Sequence, residues 1–242
     1  MLELMPPPGG GRVYEAEITP GVTDVVGGGR ARLDAIADWL QEVARQDLED
    51  AGFGGRGVWI VRRTRVRVVA FPRYGERLTL RTFCSGLGRF SAERRTTISG
   101  GGADVETVSR WICMELDGSR PQRLEGEFRD AYAASAGDRD ANVRVRHPDP
   151  PADAERSPWI FRATDLDIAA HVNNSHYWAP LEEELLVAGS EPEAFDGEVE
   201  HRDPAQPGPA ELLRSGQMRW IAGEGGQLHA SIYVNQALDS RP

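Results

Sequence analysis

Apolar residues recur at three- and four-residue intervals between positions 31 and 51, as Leu33, Ile36, Ala37, Leu40, Val43, Ala44 and Leu48. That spacing gathers them into one stripe of an amphipathic helix, and Gly52 stands where a glycine commonly ends one. Ahead of this helix, residues 12–19 alternate as a short strand, followed by a glycine-rich loop over 20–29. Behind it the period shortens to two, and strands are predicted over 58–71, 77–85, 89–99 and 105–116. Turn formers part them: Pro72, Gly75, Gly86, Gly88, the glycines at 100–102, and Asp117 with Gly118. A strand, a long helix and then antiparallel strands joined by short turns make an α+β unit, with the helix on one face of its sheet.

A short helix is expected over 124–134, and the proline- and charge-rich stretch 137–157 reads as a connector. The order then restarts: a strand over 159–164, a loop, a helix over 173–188, and strands over 197–202, 211–220 and 227–235. The chain therefore reads as two copies of one unit about 140 to 150 residues apart, divided into residues 1–137 and 138–242.

Composition narrows the function classes. A net charge of -10 opposes nucleic-acid binding through bulk charge. No apolar run reaches the roughly 18 residues that would span a bilayer, and the opening MLELMPPPGGG has neither the basic start nor the apolar core of a secretion signal. The expected location is the cytoplasm. Cys84 and Cys113 lie in strand-like surroundings and are expected to be buried, inert thiols. Every basic residue is Arg, which removes lysine nucleophiles and Schiff bases from consideration. His147, His176, His201 and His229 show no metal-ligand spacing, so no metal or cofactor is expected. Gly27, Gly28 and Gly29 precede a helix but lack the lysine and spacing of a phosphate loop.

Chemistry concentrates in the segment ATDLDIAAHVNNSHYWAPLEEE at 163–184. Asp165, Asp167, His171, Asn173 and Asn174 fall just ahead of Val172, Tyr177, Leu181, Leu185 and Leu186, which can line one helical face. Polar side chains would thus meet the free N–H groups and positive dipole end of a helix. Asp167 could equally be a turn aspartate bonding its own backbone, and Asn173 or Asn174 could be a helix cap. Asp165 reads as loop-closing.

The pattern DLDxxxHVNNxxY, between a strand and a helix carrying Glu183, resembles the hotdog-fold thioesterases. The duplicated layout is similar to their tandem form, the acyl-acyl-carrier-protein thioesterases. WLQEV at 39–43, Gly52-Phe53 and RVVAFPRYG at 67–75 support the resemblance, which spans roughly 14–234. It implies a double hotdog, two antiparallel sheets each wrapped around a long helix, that hydrolyses a fatty acyl thioester on the phosphopantetheine of an acyl carrier protein. The implied site residues are Asp167 as general base or nucleophile, His171 as the group polarising the thioester, Asn173, and Glu183 facing the site from the helix. Backbone N–H groups of 172–174 would receive the oxyanion. Ala169 stands where the family usually has asparagine. Pro204 stands where it has an acid, with Asp203 one step before.

On this reading the first copy supplies the acyl pocket, near Trp39, Leu40 and Val43, and the glycines at 27–29 mark its decayed site, leaving one active site per chain. Arg63, Arg65 and Arg67 alternate along one strand face and would either receive an acidic carrier or simply face solvent. An acyl-CoA thioesterase and a non-catalytic acyl-binding hotdog protein are the alternatives. A monomer and a homodimer both fit a chain that already contains the paired unit.

Overall fold

The structure, a computed structural model, describes residues 1–189 and 191–235. The first half runs β1 (Tyr14–Ile18), α1 (Leu33–Asp50), β2 (Val58–Ala70), β3 (Leu78–Leu87), β4 (Ser91–Gly100), β5 (Ala103–Met114) and α2 (Glu127–Ala136). The second runs β6 (Glu155–Phe161), two 3-10 turns (Ala163–Asp165 and Asn174–Trp178), α3 (Ala179–Val187), β7 (Phe195–His201), β8 (Gly208–Ser215), β9 (Met218–Gly223) and β10 (Leu228–Val234).

The strand order β1-β3-β4-β5-β2-β7-β10-β9-β8-β6 makes the duplication explicit. From either outer edge inward, each half presents its first, third, fourth, fifth and second strand. The two halves meet where β2 pairs antiparallel with β7, Arg63 opposite Glu200 and Arg67 opposite Asp196. The α+β double-hotdog architecture is present, with one correction: the two expected sheets are hydrogen-bonded into one sheet of ten strands.

The buried stripe of α1 explains the wrap. Leu33, Ile36, Leu40 and Val43 pack in one cluster with Val66, Val68, Leu78, Leu80, Ile98 and Val105, and this cluster continues into Tyr177, Trp178, Leu181, Val199, Ile221 and Ile232 of the second half. At about 1.5–3 kcal/mol for each buried aliphatic side chain, this shared core holds the halves together across the seam. Trp39, Leu40 and Val43 all lie in this core.

The halves differ in their helices. α1 has 18 residues, but α3 has nine, because its first turn is 3-10 and Pro180 occupies an early position. The helix expected over 173–188 is thus a 3-10 turn followed by a short α-helix. The strand expected over 211–220 is in fact the hairpin of β8 and β9, turned at Gly216, whose φ is 54°. In the first half α2 closes the open end: Phe53, Trp59, Phe128 and Tyr132 form a second cluster, and Tyr132 donates to Asp47 at 2.8 Å. Arg12 and Arg94 neutralise that same carboxylate at 2.6 and 2.7 Å. Cys84 and Cys113 are buried free thiols, and burial pushes both up to about 11, so neither is a thiolate near neutral pH.

The outer face of the sheet corrects the arginine stripe. Arg63 is 2% exposed and paired with Glu198 and Glu200, while Arg65 holds Asp196 through two bonds of 2.8 Å. The first residues of the chain and the connector lie over this layer. The Leu2 N–H donates to Glu198, Arg65 donates to the Leu2 carbonyl, and the N–H groups of Arg146 and His147 donate to Glu200. Arg63 and Arg65 thus join the halves beneath this cover, while Arg67 is half-buried opposite Asp196. His147, Glu198 and Glu200 could geometrically hold a metal ion, but both carboxylates are already taken by these donors and by the Arg63 cation.

Candidate active site

The segment expected to carry chemistry folds as one tight turn. Leu166 and Val172 form an isolated β-bridge, the Asp167 N–H donates to the His171 carbonyl at 2.9 Å, and the Ala170 N–H donates to the Asp167 carbonyl at 3.0 Å. The turn is pinned from below, since the Asn173 N–H donates to Asp165 and the Val172 N–H to Ala205. Ala170 takes a left-handed φ of 57°, the only non-glycine residue among those described to do so.

Asp167 uses Oδ1 to accept the Ala169 N–H at 2.8 Å, so the aspartate turn is realised, and its other oxygen accepts from no described residue. His171 is exposed beside it on the same turn, without a hydrogen bond between the two side chains. Asn173 is the cap of the following helical segment. Its Oδ1 accepts from Ser175 N–H (2.8 Å), Ser175 Oγ (2.9 Å) and Gln41 Nε2 (2.7 Å), which leaves its amide nitrogen as the group it can offer a substrate. Glu183 is not brought to this turn. It is exposed and lines a groove of about 390 Å³ between α3 and strands β6 and β8, among Trp159, Pro180, Val187 and Leu212. Ala169 and Pro204 are both exposed.

The three backbone N–H groups expected to receive an oxyanion divide. Those of Val172 and Asn173 are used within the fold, and that of Asn174 donates to no described group. Asn174 opens a run of 3-10 and then α-helix, where the unfilled N–H groups and dipole favour an anion.

The first half contains the same turn, about 140 residues earlier. Asp24 accepts the Gly21 N–H with its carboxylate, as Asp165 accepts that of Arg162, each at 2.7 Å. Val25 bridges Ala31 as Leu166 bridges Val172, and Gly29, with φ 79°, stands where Ala170 stands. The Ala31 N–H donates to Pro72 as the Val172 N–H donates to Ala205. At the chemical positions the two turns diverge: Val26 replaces Asp167, Arg30 replaces His171, and Leu33 replaces Asn174. The Leu33 N–H is occupied. It donates at 3.0 Å to Glu182, 3% exposed, which also pairs with Arg30. The equivalent of Glu182 on α1 is Gln41, which reaches the second turn.

Three further groups belong to the second site. Tyr177 is buried, accepts the Ala205 N–H at 2.9 Å, and is raised to about 12 by burial, with the Asp167 carboxylate adding to the effect. Its ring meets His201 edge-on at 5.2 Å. Burial, and secondarily the Arg62 charge, pushes His201 down to about 3, so its imidazole is neutral, and its Nδ1 is buried with no hydrogen-bond partner. An unanswered buried polar atom of this kind costs about 1–3 kcal/mol. His201 also lines a cavity of about 10 Å³ at the seam, with Gln41, Thr64, Ser109, Asn174 and Ser175 among its walls, room for about one water. Gln41 and His201 carry no local signal that marks them as site residues in the sequence, whereas Tyr177 closes the DLDxxxHVNNxxY pattern. By the correspondence of the two turns and of their anchors at Pro72 and Ala205, Ile36 stands in the first copy for Tyr177, and Val68 of β2 for His201 at the end of β7.

Ten strands in this order, with helices packed on one face, define a double-hotdog protein with one polar turn. Residues 11–132 match the model for the acyl-ACP thioesterase N-terminal domain and 149–206 that for its C-terminal domain, and the chain belongs to the acyl-ACP thioesterase family. It is 28% identical over 231 residues to an uncharacterised protein of Mycobacterium tuberculosis, covering 92% of each chain. It is 25% identical over 172 residues to the chloroplastic oleoyl-acyl carrier protein thioesterase 2 of Arabidopsis thaliana, covering 61% of this chain and 47% of that one. The chain thus aligns with about half the length of this plant relative. In fold it is similar to the crystal structure of a putative oleoyl thioesterase from Lactobacillus plantarum, with a TM-score of 0.75 over 93% of this chain and 96% of that one at 17% identity. No helix among the described residues is long and apolar enough to cross a membrane.

Proposed function

We propose that this protein hydrolyses acyl thioesters of an acyl carrier protein, using the turn around Asp167, His171 and Asn173 in the second half. One observation carries the reading: the first copy holds the Glu182 carboxylate against the Leu33 N–H and Arg30, where the second copy has the Asn174 N–H, His171 and the neutral Gln41. The first turn thus contains an anion at the place where, in the second, an oxyanion would develop.

In this scheme the thioester carbonyl oxygen lies toward the Asn174 N–H and His171, with the Asn173 amide nitrogen beside it. Asp167 takes a proton from water through the oxygen not used by the turn, and the water oxygen bonds to the carbonyl carbon. The C–S bond then breaks, and the proton passes to the departing sulfur. The products are a free acid and the phosphopantetheine thiol. Glu183, in its separate groove, has no step here. No metal is called for, since the N–H groups and imidazole serve where a Lewis acid otherwise would.

The family and the relatives' carrier-protein names support a carrier thioester over the coenzyme A form. A second reading, acyl binding without turnover, rests on Ala169 and Pro204. Asp167→Asn keeps an oxygen for the Ala169 N–H and therefore the turn. It should lower kcat on acyl-carrier thioesters by roughly 10³-fold with KM little changed. A native protein that binds these thioesters and hydrolyses none, or a variant as active as the native protein, would overturn the mechanism.

A further inference from the structure

Three positions where the second half is polar are apolar and buried in the first: Asp167 against Val26, Tyr177 against Ile36, and His201 against Val68. They are linked in space. The Asp167 carboxylate acts electrostatically on the Tyr177 hydroxyl, and the Tyr177 ring lies edge-on to His201. His201 leads into the seam cavity, whose wall includes Asn174 and Ser175, the residues that directly follow Asn173. The first copy shows that this architecture packs with valine and isoleucine at these sites, so packing does not call for the polar groups.

Resting on the hydrolase reading above, we infer that the first carbons of the acyl group lie at the mouth of this seam with an oxygen on them filling its one-water cavity, and that His201 makes the site select acyl groups bearing a hydroxyl or keto oxygen within the first few carbons. The cavity admits one oxygen-sized group beside His201, whose Nδ1 is the buried polar atom there that a plain alkyl chain would leave unmet, since Gln41 already donates to Asn173 and Ser109 already accepts from Trp111. A neutral imidazole can both donate and accept, so it answers a hydroxyl or a ketone. Sites that hydrogen-bond a substrate oxygen discriminate strongly against the analogue lacking it, because their own polar groups are then stranded.

The test compares matched pairs, 3-hydroxydecanoyl with decanoyl and 3-oxo with saturated chains of equal length, as carrier-protein and coenzyme A thioesters. The native protein should favour the oxygenated member in kcat/KM by about tenfold or more. His201→Val, which installs the first half's residue, should erase that ratio, and His201→Gln, which keeps a donor and an acceptor, should retain part of it. Equal or better turnover of the saturated member by the native protein overturns the inference while leaving the hydrolase intact. If no thioester is hydrolysed, the hydrolase reading fails, and calorimetric binding of the same pairs then decides: tighter binding of the oxygenated member supports the polar seam, and equal binding ends it. Should His201→Val not fold, the native ratio and the His201→Gln variant decide between the two outcomes.

Discussion

The turns at 21–32 and 162–173 share a backbone and differ in chemistry. Their bridges, their aspartate-closed entries and their anchoring to the chain after β2 or β7 correspond bond for bond. In the first, the side chains turn inward: Val26 is buried, and Arg30 is locked between Glu182 and the Phe71 ring, 4.6 Å away. In the second, Asp167 keeps a free oxygen, His171 faces solvent and the Asn174 N–H is unfilled. The same scaffold thus becomes a joint in one copy and a candidate site in the other, through a handful of side chains. The pairing is also crossed. The helix of each half serves the turn of the other, Glu182 reaching Arg30 and Gln41 reaching Asn173.

Removing the anion from the joint should have the greatest consequence. Glu182→Gln leaves the Arg30 cation, itself 3% exposed, with Glu191 at 3.3 Å as its remaining carboxylate among the described residues, beside the Ala31 carbonyl and the Phe71 ring. Stripping one partner from a buried ion pair costs about 3–5 kcal/mol, and the remaining Glu191 contact argues for about 3. Urea unfolding would measure it. Adding Arg30→His to that variant, which imitates the second turn, should recover at least half of the loss. If the single variant unfolds like the native protein, the joint does not hold the halves together.

The reciprocal change carries the joint's anion to the catalytic side. Gln41→Glu places a carboxylate beside the second turn, as Glu182 stands beside the first. Near neutral pH it should compete with the developing oxyanion at the Asn174 N–H and repel the three-donor cap at Asn173 Oδ1, lowering kcat/KM by about ten- to a hundredfold. As pH falls through the pKa of the new carboxyl, it becomes neutral and can again donate to Asn173, so activity relative to the native protein should rise. Gln41→Met removes the hydrogen bond without adding charge and should show no such rise. Parallel pH profiles for Gln41→Glu and the native protein would show that the two turns are not chemically equivalent.

What the chain discloses before folding follows how far its partners lie apart. The α1 stripe is legible because Leu33 to Leu48 repeat with the helical period, and the turn at 163–174 because Asp167, His171 and Asn173 lie close together in the chain. The hairpin of β8 and β9 is hidden because a short turn at Gly216 interrupts a run that alternates on both sides of it. The arginine stripe misleads because alternation places Arg63 and Arg65 on one face without saying what covers that face. The cover comes from Leu2 and from Arg146 and His147, far off in sequence. Gln41 and His201 arrive at the site across the seam, so no local pattern marks them. Aligning the two copies on each other does, because a polar residue then stands out against a valine or a glutamate.

The smallest effect tests whether the second turn is strained for its role. Ala170 has φ 57°, a conformation that costs a residue with a Cβ roughly 1 kcal/mol, whereas Gly29 takes φ 79° in the first turn without that cost. Space is not the issue at Gly29, since a Cβ there would meet nothing nearer than the Tyr74 Cβ at 4.0 Å. Gly29→Ala should therefore destabilise by about 1 kcal/mol through backbone strain alone. Ala170→Gly should gain less than that, about 0.5 kcal/mol or under, because relief of strain is offset by the greater freedom of glycine in the unfolded chain. The second variant also loosens the link between Asp167 and His171, so its stability and kcat should move in opposite directions. If both rise together, Ala170 is packing debris of the duplication and the turn needs no rigidity to act.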